Sequence, residues 1–95
     1  MGYRDVDPAL VAPKRFVTLA HLSQVEQADY PALTESTGMS TPDLSKILRD
    51  LEERGLVEVT KGRKNRYGQT LVRLSAEGER QFRQLLRTLN QIAGG

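Results

Sequence analysis

The segment TGMSTPDLSKILRDLEERGLV, residues 37–57, carries the pattern that decides the fold. Gly38 suits the end of one helix, and Ser40 or Thr41 can cap the start of the next. A proline directly after these capping residues and a glycine after the last turn agree with that second helix. Apolar residues recur within it at spacings of three and four; they are Leu44, Ile47, Leu48 and Leu51. The pattern predicts a tight turn followed by a helix over about 41–54.

Two further helices are predicted before this turn. The nearer one is short: Asp29 can cap it, and Pro31 lies in its first turn, where no amide donor is required. The farther one covers about 8–26 and shows apolar spacings of three and four, with a restart after Pro13. The polar residues 1–7 are expected to be frayed.

A β-hairpin and a final helix are predicted after the turn and its helix. Residues 56–61 alternate between apolar and polar, and residues 69–74 form a second run rich in β-forming side chains. The loop between the two runs is basic and bounded by glycines, which is typical of a long hairpin loop. Ser75 can cap a last helix over about 76–93.

These elements predict a single domain over residues 1–95, mainly α with a small β-hairpin (α+β), in the order helix-helix-helix-strand-strand-helix. A chain of 95 residues can form one modest core without disulfides. The helix-turn-helix arrangement in the middle is followed directly by the hairpin, so the hairpin is expected to lie beside it as a wing.

The composition excludes most catalytic and metal-binding chemistry. The chain has no cysteine and one histidine, His21, so one chain can form neither a disulfide, a thiol nucleophile nor a cysteine- or histidine-based metal cluster. The sequence also shows no nucleophile–base pair and no phosphate-binding loop. We therefore expect no enzymatic activity, no metal and no cofactor, and we interpret His21 as a packed or partly exposed side chain.

The charges are unevenly distributed, although the formal net charge is only +2. Between residues 23 and 43 there are four acids and no base. Between residues 59 and 76 there is no acid, and the bases are Lys61, Arg63, Lys64, Arg66 and Arg73. The basic segment is either a chance cluster on a solvated surface or the binding site of a polyanion.

Residues 37–57 resemble the helix-turn-helix of the bacterial winged-helix regulators, of both the MarR (multiple antibiotic resistance) and the ArsR type. Leu74-Ser75-Ala76-Glu77-Gly78 is similar to the Leu-Thr-x-x-Gly segment that follows the wing in the MarR type. The resemblance covers roughly residues 10–90 and implies a winged helix-turn-helix fold. It also implies sequence-specific binding of double-stranded DNA by a transcriptional regulator. The Asp-x-Arg wing motif frequent in the MarR type is missing.

The predicted recognition helix turns a polar face outward once its leucines face the core. We expect DNA contacts from Thr41, Pro42, Asp43, Ser45, Lys46 and Arg49. Lys46 can donate to guanine, whereas Arg49, one turn later, is better placed for phosphate. Asp43 and Asp50 would repel phosphate, so they point toward either a base edge or a neighbouring Lys or Arg. The alternative for the whole face is a solvated helix surface with local ion pairs.

The basic wing loop is the second predicted DNA contact. Arg63, Lys64 and Arg66 can reach phosphates or a narrow minor groove, or they can be ordinary edge-strand charges that deter aggregation. Tyr67 either donates a hydrogen bond to a phosphate or packs under the hairpin.

The last helix carries an apolar stripe formed by Phe82, Leu85, Leu86, Leu89 and Ile92. The stripe either packs only on the first helix or also forms a homodimer, which we favour because two recognition helices multiply weak half-site contacts. The expected partners are double-stranded DNA and a second copy of the chain, with a small-molecule effector left open. No apolar run is long enough to span a membrane, so a cytoplasmic location is expected. The alternative function is a winged helix that binds another protein, which an exposed apolar recognition helix would have favoured.

Overall fold

Helices dominate the computed structural model, which describes residues 2–62 and 69–94. A 3-10 turn at Tyr3–Asp5 precedes the regular elements. These are α1 (Pro8–Val11), α2 (Pro13–Leu22), β1 (Ala28–Asp29), α3 (Tyr30–Thr37), α4 (Thr41–Glu53), β2 (Val57–Thr60), β3 (Leu71–Leu74) and α5 (Ala76–Ile92). The strands form one antiparallel sheet in the order β1-β3-β2. The predicted winged helix-turn-helix order is confirmed.

Side-chain caps start the helices where the sequence predicted them. The Asp29 carboxylate accepts a hydrogen bond from the Ala32 amide at the start of α3, at 2.9 Å. The Ser40 hydroxyl accepts one from the Asp43 amide at the start of α4, at 3.3 Å. Gly38 has a φ of +75°, the left-handed conformation that ends α3 and that glycine adopts without strain. The tight turn of the helix-turn-helix is therefore set by local chemistry.

Three features of the first third of the chain differ from the predictions. The restart expected after Pro13 is confirmed, since Ala12 has an extended ψ of 133° that reflects the clash of a helical residue with a following proline, but α2 ends at Leu22 and not at about residue 26. Within the segment expected to be frayed, Tyr3–Asp5 form a 3-10 turn, and the Gly2 amide donates to the Asp5 carboxylate at 2.9 Å. The two-stranded hairpin gains a third strand, β1, which is only two residues long and gives too short a pattern to recognise.

The core lies where α2, α3, α4 and α5 meet the sheet. Its buried residues are Leu10, Leu19, Leu22, Leu33, Leu44, Leu48, Leu51, Leu56, Val57, Val72, Phe82 and Leu85. Met39, in the turn before α4, packs partly buried against this cluster. The leucines predicted to face inward from α4 do so, which fixes the opposite face of that helix toward the outside.

Ser75, between β3 and α5, connects the residues that follow α4 with the start of the last helix. The Ser75 hydroxyl donates to the Gly55 carbonyl at 2.6 Å and accepts from the Gly78 amide at 2.9 Å. The Ser75 amide donates to the Leu56 carbonyl at 3.0 Å. A Cβ atom on Gly78 would lie 2.8 Å from the Leu56 carbonyl carbon and closer still to its oxygen. Gly78 thus lets α5 contact the backbone of the strand region directly.

In the described ranges 2–62 and 69–94, none of the helices combines the length and the apolar character that crossing a bilayer requires.

Candidate nucleic-acid interface

The outer face of α4 is the first part of the candidate interface. Thr41, Pro42, Lys46 and Arg49 are exposed, and Asp43 and Ser45 are partly buried. The helix has 13 residues, which makes it about 20 Å long, and its width of about 10 Å fits the major groove of B-DNA. None of the large exposed hydrophobic side chains among the described residues lies on α4. Its outer face is therefore a polar surface of the right size for a groove.

Basic side chains of α2 pair with two of the acidic residues of α4, Asp43 and Asp50. Lys14 Nζ lies 3.0 Å from an Asp43 carboxylate oxygen. Arg15 Nε lies 2.8 Å from an Asp50 oxygen, which also accepts from Arg54 Nε at 3.0 Å. The sequence left two environments open for these aspartates, a DNA base edge or a neighbouring lysine or arginine. In the structure, both aspartates pair with a neighbouring lysine or arginine. Lys14 and Arg15 were not singled out from the sequence, because nothing local indicates a partner on another helix.

The pairing leaves the basic side chains of the outer face available. Lys46 and Arg49 form no ion pair with any residue that the structure describes. Asp43 and Asp50, which would repel phosphate, are held by Lys14, Arg15 and Arg54 instead. Lys14 and Arg15 therefore offset the charges of Asp43 and Asp50, whereas Glu52 and Glu53, near the end of α4, remain exposed.

Asp50 titrates below its ordinary range. Its partial burial raises the pKa, but the hydrogen bonds from Arg54 and Arg15 and the positive charges of both guanidinium groups outweigh that effect and lower the pKa. The ionised form is therefore favoured by folding. Its contribution to stability is complete above the ordinary aspartate pKa of 3.8 and is lost as the pH falls through the lower pKa of the folded state.

Replacing Asp50 with asparagine is expected to lower the free energy of unfolding by about 1 kcal/mol near neutral pH, because a network of two guanidinium groups loses its anion. The difference from the wild type should shrink in acid, where the wild-type carboxylate is itself protonated. Urea unfolding at a series of pH values measures this. Glu53→Gln is the control, since Glu53 lies on the same helix without an ion pair to the described residues. A difference that is constant with pH would assign the effect to packing rather than charge.

The tip of the wing lies outside the described residues, so Arg63, Lys64, Arg66 and Tyr67 keep the status of predictions from the sequence. The structure does describe the two strands that flank the wing loop, β2 and β3. Arg73 on β3 pairs with Glu58 across the strands, with its Nε 2.7 Å from a carboxylate oxygen. Arg73 is thus part of a cross-strand pair on the sheet.

A shallow groove of about 170 Å³ connects the base of the wing to the side of α4. Its lining comes from the start of α3, from α4 and from β2 with the residue after it: Tyr30, Ser45, Leu48, Arg49, Glu52, Val59 and Lys61. The groove brings the predicted contact residues Ser45 and Arg49 together with Lys61, which the sequence placed in the basic segment. The described end of β2 and the side of α4 are therefore neighbours.

The apolar stripe of α5 is divided between the inside and the outside of the chain. Phe82 and Leu85 belong to the core, and the Phe82 ring lies 5.6 Å from the ring of Phe16 on α2. Leu86 and Ile92 are 43% and 45% exposed, while Leu89 packs partly buried against the core. Part of the stripe thus packs inside the chain, as the first alternative requires, and Leu86 and Ile92 are left at the surface.

The basic side chains on the outer side of α5 are mostly paired within the helix. Arg80 pairs with Glu77, and Arg83 pairs with Glu79. Hydrogen bonds from Arg80 and Gln81 lower the pKa of Glu77 to about 2. Local carboxylates therefore offset the charges of these two arginines.

His21 is partly buried on α2, as the sequence indicated. Within residues 2–62 and 69–94, no cluster of His, Cys, Asp or Glu side chains is suited to hold a metal ion.

The comparisons with known proteins agree with this geometry. The sequence profile of the winged helix DNA-binding domain family matches residues 14–93. The chain belongs to this family. It is accordingly a winged-helix DNA-binding domain that resembles those of transcriptional regulators, and the family is not enzymatic. A comparison with curated protein sequences found no match.

Several solved structures are similar to the domain. A transcriptional regulator homologue from Pyrococcus horikoshii OT3 has 23% identity and a TM-score of 0.83, over 92% of this chain and 86% of that protein. A homodimeric winged helix-turn-helix domain from Mycobacterium bovis, described as a possible ArsR-family regulator, has 23% identity and a TM-score of 0.76, over 90% and 75%. The PcaV transcriptional regulator from Streptomyces coelicolor has 22% identity and a TM-score of 0.76, over 95% and 67%. These matches confirm the predicted fold and the resemblance to MarR- and ArsR-like regulators.

Proposed function

We propose that the chain binds double-stranded DNA sequence-specifically as a homodimer and acts as a transcriptional regulator, with α4 in the major groove and the wing on phosphates or in the minor groove. The observation that carries the proposal is the outer face of α4. It is polar, it has the dimensions of a major-groove helix, and its Lys46 and Arg49 are left available by the pairing of Asp43 and Asp50 with α2. Such a function belongs to the compartment that holds DNA, consistent with the expected cytoplasmic location.

Selection of duplexes from a random-sequence pool, at a stated salt concentration, tests this proposal directly. We expect a consensus with two related half-sites about one helical turn apart, since a two-fold dimer presents two copies of α4. Recovery of unrelated sequences with equal affinity would contradict sequence-specific binding. Absence of any DNA binding would favour the alternative function of contacting another protein.

Replacing Lys46 with alanine is expected to weaken binding to the selected duplex by about 1–3 kcal/mol and to relax the preference at one base position, because a lysine in the groove reads a guanine. Arg49→Ala should weaken binding to all sequences alike, because a phosphate contact carries no sequence information. Affinities of both variants for the selected duplex and a scrambled duplex measure the difference. Equal losses on both duplexes for Lys46→Ala would make Lys46 a phosphate contact.

Replacing Arg63, Lys64 and Arg66 together with glutamine is expected to flatten the dependence of log K on log salt by about 2–3 per protomer, since each phosphate contact contributes about 0.9 to the slope. Thermal stability should barely change, because exposed charges contribute little to folding. A salt titration of both proteins on one duplex, with thermal melting as the control, measures this. An unchanged slope in a folded variant would remove the wing from the DNA contact.

The homodimer in this proposal rests on the surface part of the α5 stripe. Leu86 and Ile92 are exposed, and Leu89 between them is only partly buried. The similar domain from Mycobacterium bovis is described as homodimeric, which supports the same assembly here. Pairing of these side chains across a two-fold axis would bury them and hold two copies of α4 on one duplex.

A further inference from the structure

A single carboxylate joins the base of the wing to the start of the helix-turn-helix. Asp29 Oδ1 accepts the hydrogen bond from the Ala32 amide that caps α3. Asp29 Oδ2 accepts a second hydrogen bond, from Gln69 Nε2, at 3.0 Å. Gln69 lies 40 positions later in the chain, directly after the wing loop and two positions before β3 begins. One side chain therefore contacts both the start of α3 and the residue that follows the wing loop.

The backbone explains why a side chain makes this connection. Asp29 pairs with Leu71 in the register of β1 with β3. The strand ladder ends at this pair, because the chain turns into α3 at Tyr30 and offers no further extended residue. The hydrogen bond from Gln69 extends the attachment of β3 beyond the ladder, toward the wing loop.

The other end of the wing loop, where it leaves β2, lies beside α4. Lys61, one residue after β2 ends, lines the groove that also contains Ser45 and Arg49 of α4. The α3 helix, which Asp29 caps, continues into α4 through the tight turn at Gly38. One end of the wing is thus bonded to the start of α3 through Gln69, and the other end, at Lys61, lies beside α4.

We propose that Asp29 is a positioning residue that, by accepting the hydrogen bond from Gln69, sets the orientation of the wing relative to α4 so that both contact one duplex. The inference rests on the proposed function, in which the wing contacts DNA. The two carboxylate oxygens separate the two roles: Oδ1 stabilises α3, and Oδ2 holds the wing.

Gln69→Ala removes the hydrogen bond to Asp29 Oδ2 that holds the wing. The substitution leaves the α3 cap intact and does not change the net charge. We expect binding to the duplex that the wild type selects from a random pool to weaken about 2- to 10-fold, the range of one hydrogen bond. The melting temperature should stay close to that of the wild type, because the hydrogen bond between the two side chains is exposed to solvent. Hydroxyl-radical footprinting should show reduced protection by the wing and unchanged protection by α4, a result that a purely structural role would not give.

An exchange of the two partners supplies the rescue. Gln69→Glu alone places a carboxylate against Asp29 and should weaken binding. Adding Asp29→Asn reverses donor and acceptor: asparagine still caps α3, and its amide nitrogen can donate to the new carboxylate. The exchanged protein has the net charge of the wild type, and its affinity should return to within about twofold of it. An exchanged protein that binds as weakly as Gln69→Glu would overturn the inference.

The triple wing variant at Arg63, Lys64 and Arg66 separates this inference from the proposed function. In that background Gln69→Ala should cause no further loss, because the wing no longer makes the contact that Asp29 positions. If the triple variant binds DNA like the wild type, the proposed wing contact itself fails. If the triple variant binds weakly but Gln69→Ala binds like the wild type, or costs the same in both backgrounds, only the positioning role of Asp29 fails.

Discussion

Replacing Gly78 with alanine is expected to lower the free energy of unfolding by about 3 kcal/mol or more. In a domain of this size, such a loss lowers the melting temperature by more than about 10 °C. An added Cβ would meet the carbonyl group of Leu56, which is backbone and cannot rotate away. Moving α5 outward to relieve the clash would stretch the hydrogen bond from the Ser75 amide to the Leu56 carbonyl. Thermal melting and urea unfolding measure the loss.

The sign of this effect is opposite to that expected from local structure. In an open helix, alanine is about 1 kcal/mol more favourable than glycine. Gly38→Ala is the matched control: that glycine has a φ of +75° and open space around it, so only backbone strain of about 1 kcal/mol is expected. A Gly78→Ala protein that melts at or above the wild-type temperature would show that α5 does not contact the Leu56 backbone as closely as described.

Replacing Leu86 and Ile92 together with glutamate is expected to convert a dimer into a folded monomer and to weaken binding to a two-half-site duplex about 100-fold or more. Two linked half-sites gain about 10²- to 10⁴-fold over one, and a monomer loses that gain. Both side chains are exposed in the single chain, so their charge should not disturb the core. Sedimentation at micromolar concentration should give about twice 10.6 kDa for the wild type and 10.6 kDa for the variant.

Two controls make this measurement specific to the surface of α5. Tyr3→Glu with Val25→Glu changes two other exposed hydrophobic side chains and should leave the dimer intact. Leu85→Asp, in contrast, should unfold the domain, because Leu85 is buried in the core of one chain. A wild-type protein that is monomeric at every concentration, or a double variant that stays dimeric, would contradict the proposed interface.

Much of the fold is predictable from the sequence, because the relevant interactions lie within a few residues of each other. The caps at Asp29, Ser40 and Ser75, and the left-handed turn at Gly38, involve neighbours three or four positions apart. The apolar period of α4 also fixes which side of the recognition helix faces outward. Together these local signals predict the helix-turn-helix, the hairpin after it and the polar face that α4 presents.

Only the tertiary structure decides what each surface residue meets. The partners of Asp43 and Asp50 on α2 lie 29 and 35 positions away, and the partner of Asp29 lies 40 positions away. No periodicity connects such residues, since their approach depends on how helices cross and where strands end. The same reason explains why α5 shows one continuous apolar stripe in the sequence. The fold buries Phe82 and Leu85 and leaves Leu86 and Ile92 exposed, because packing partners cover only one side of that stripe.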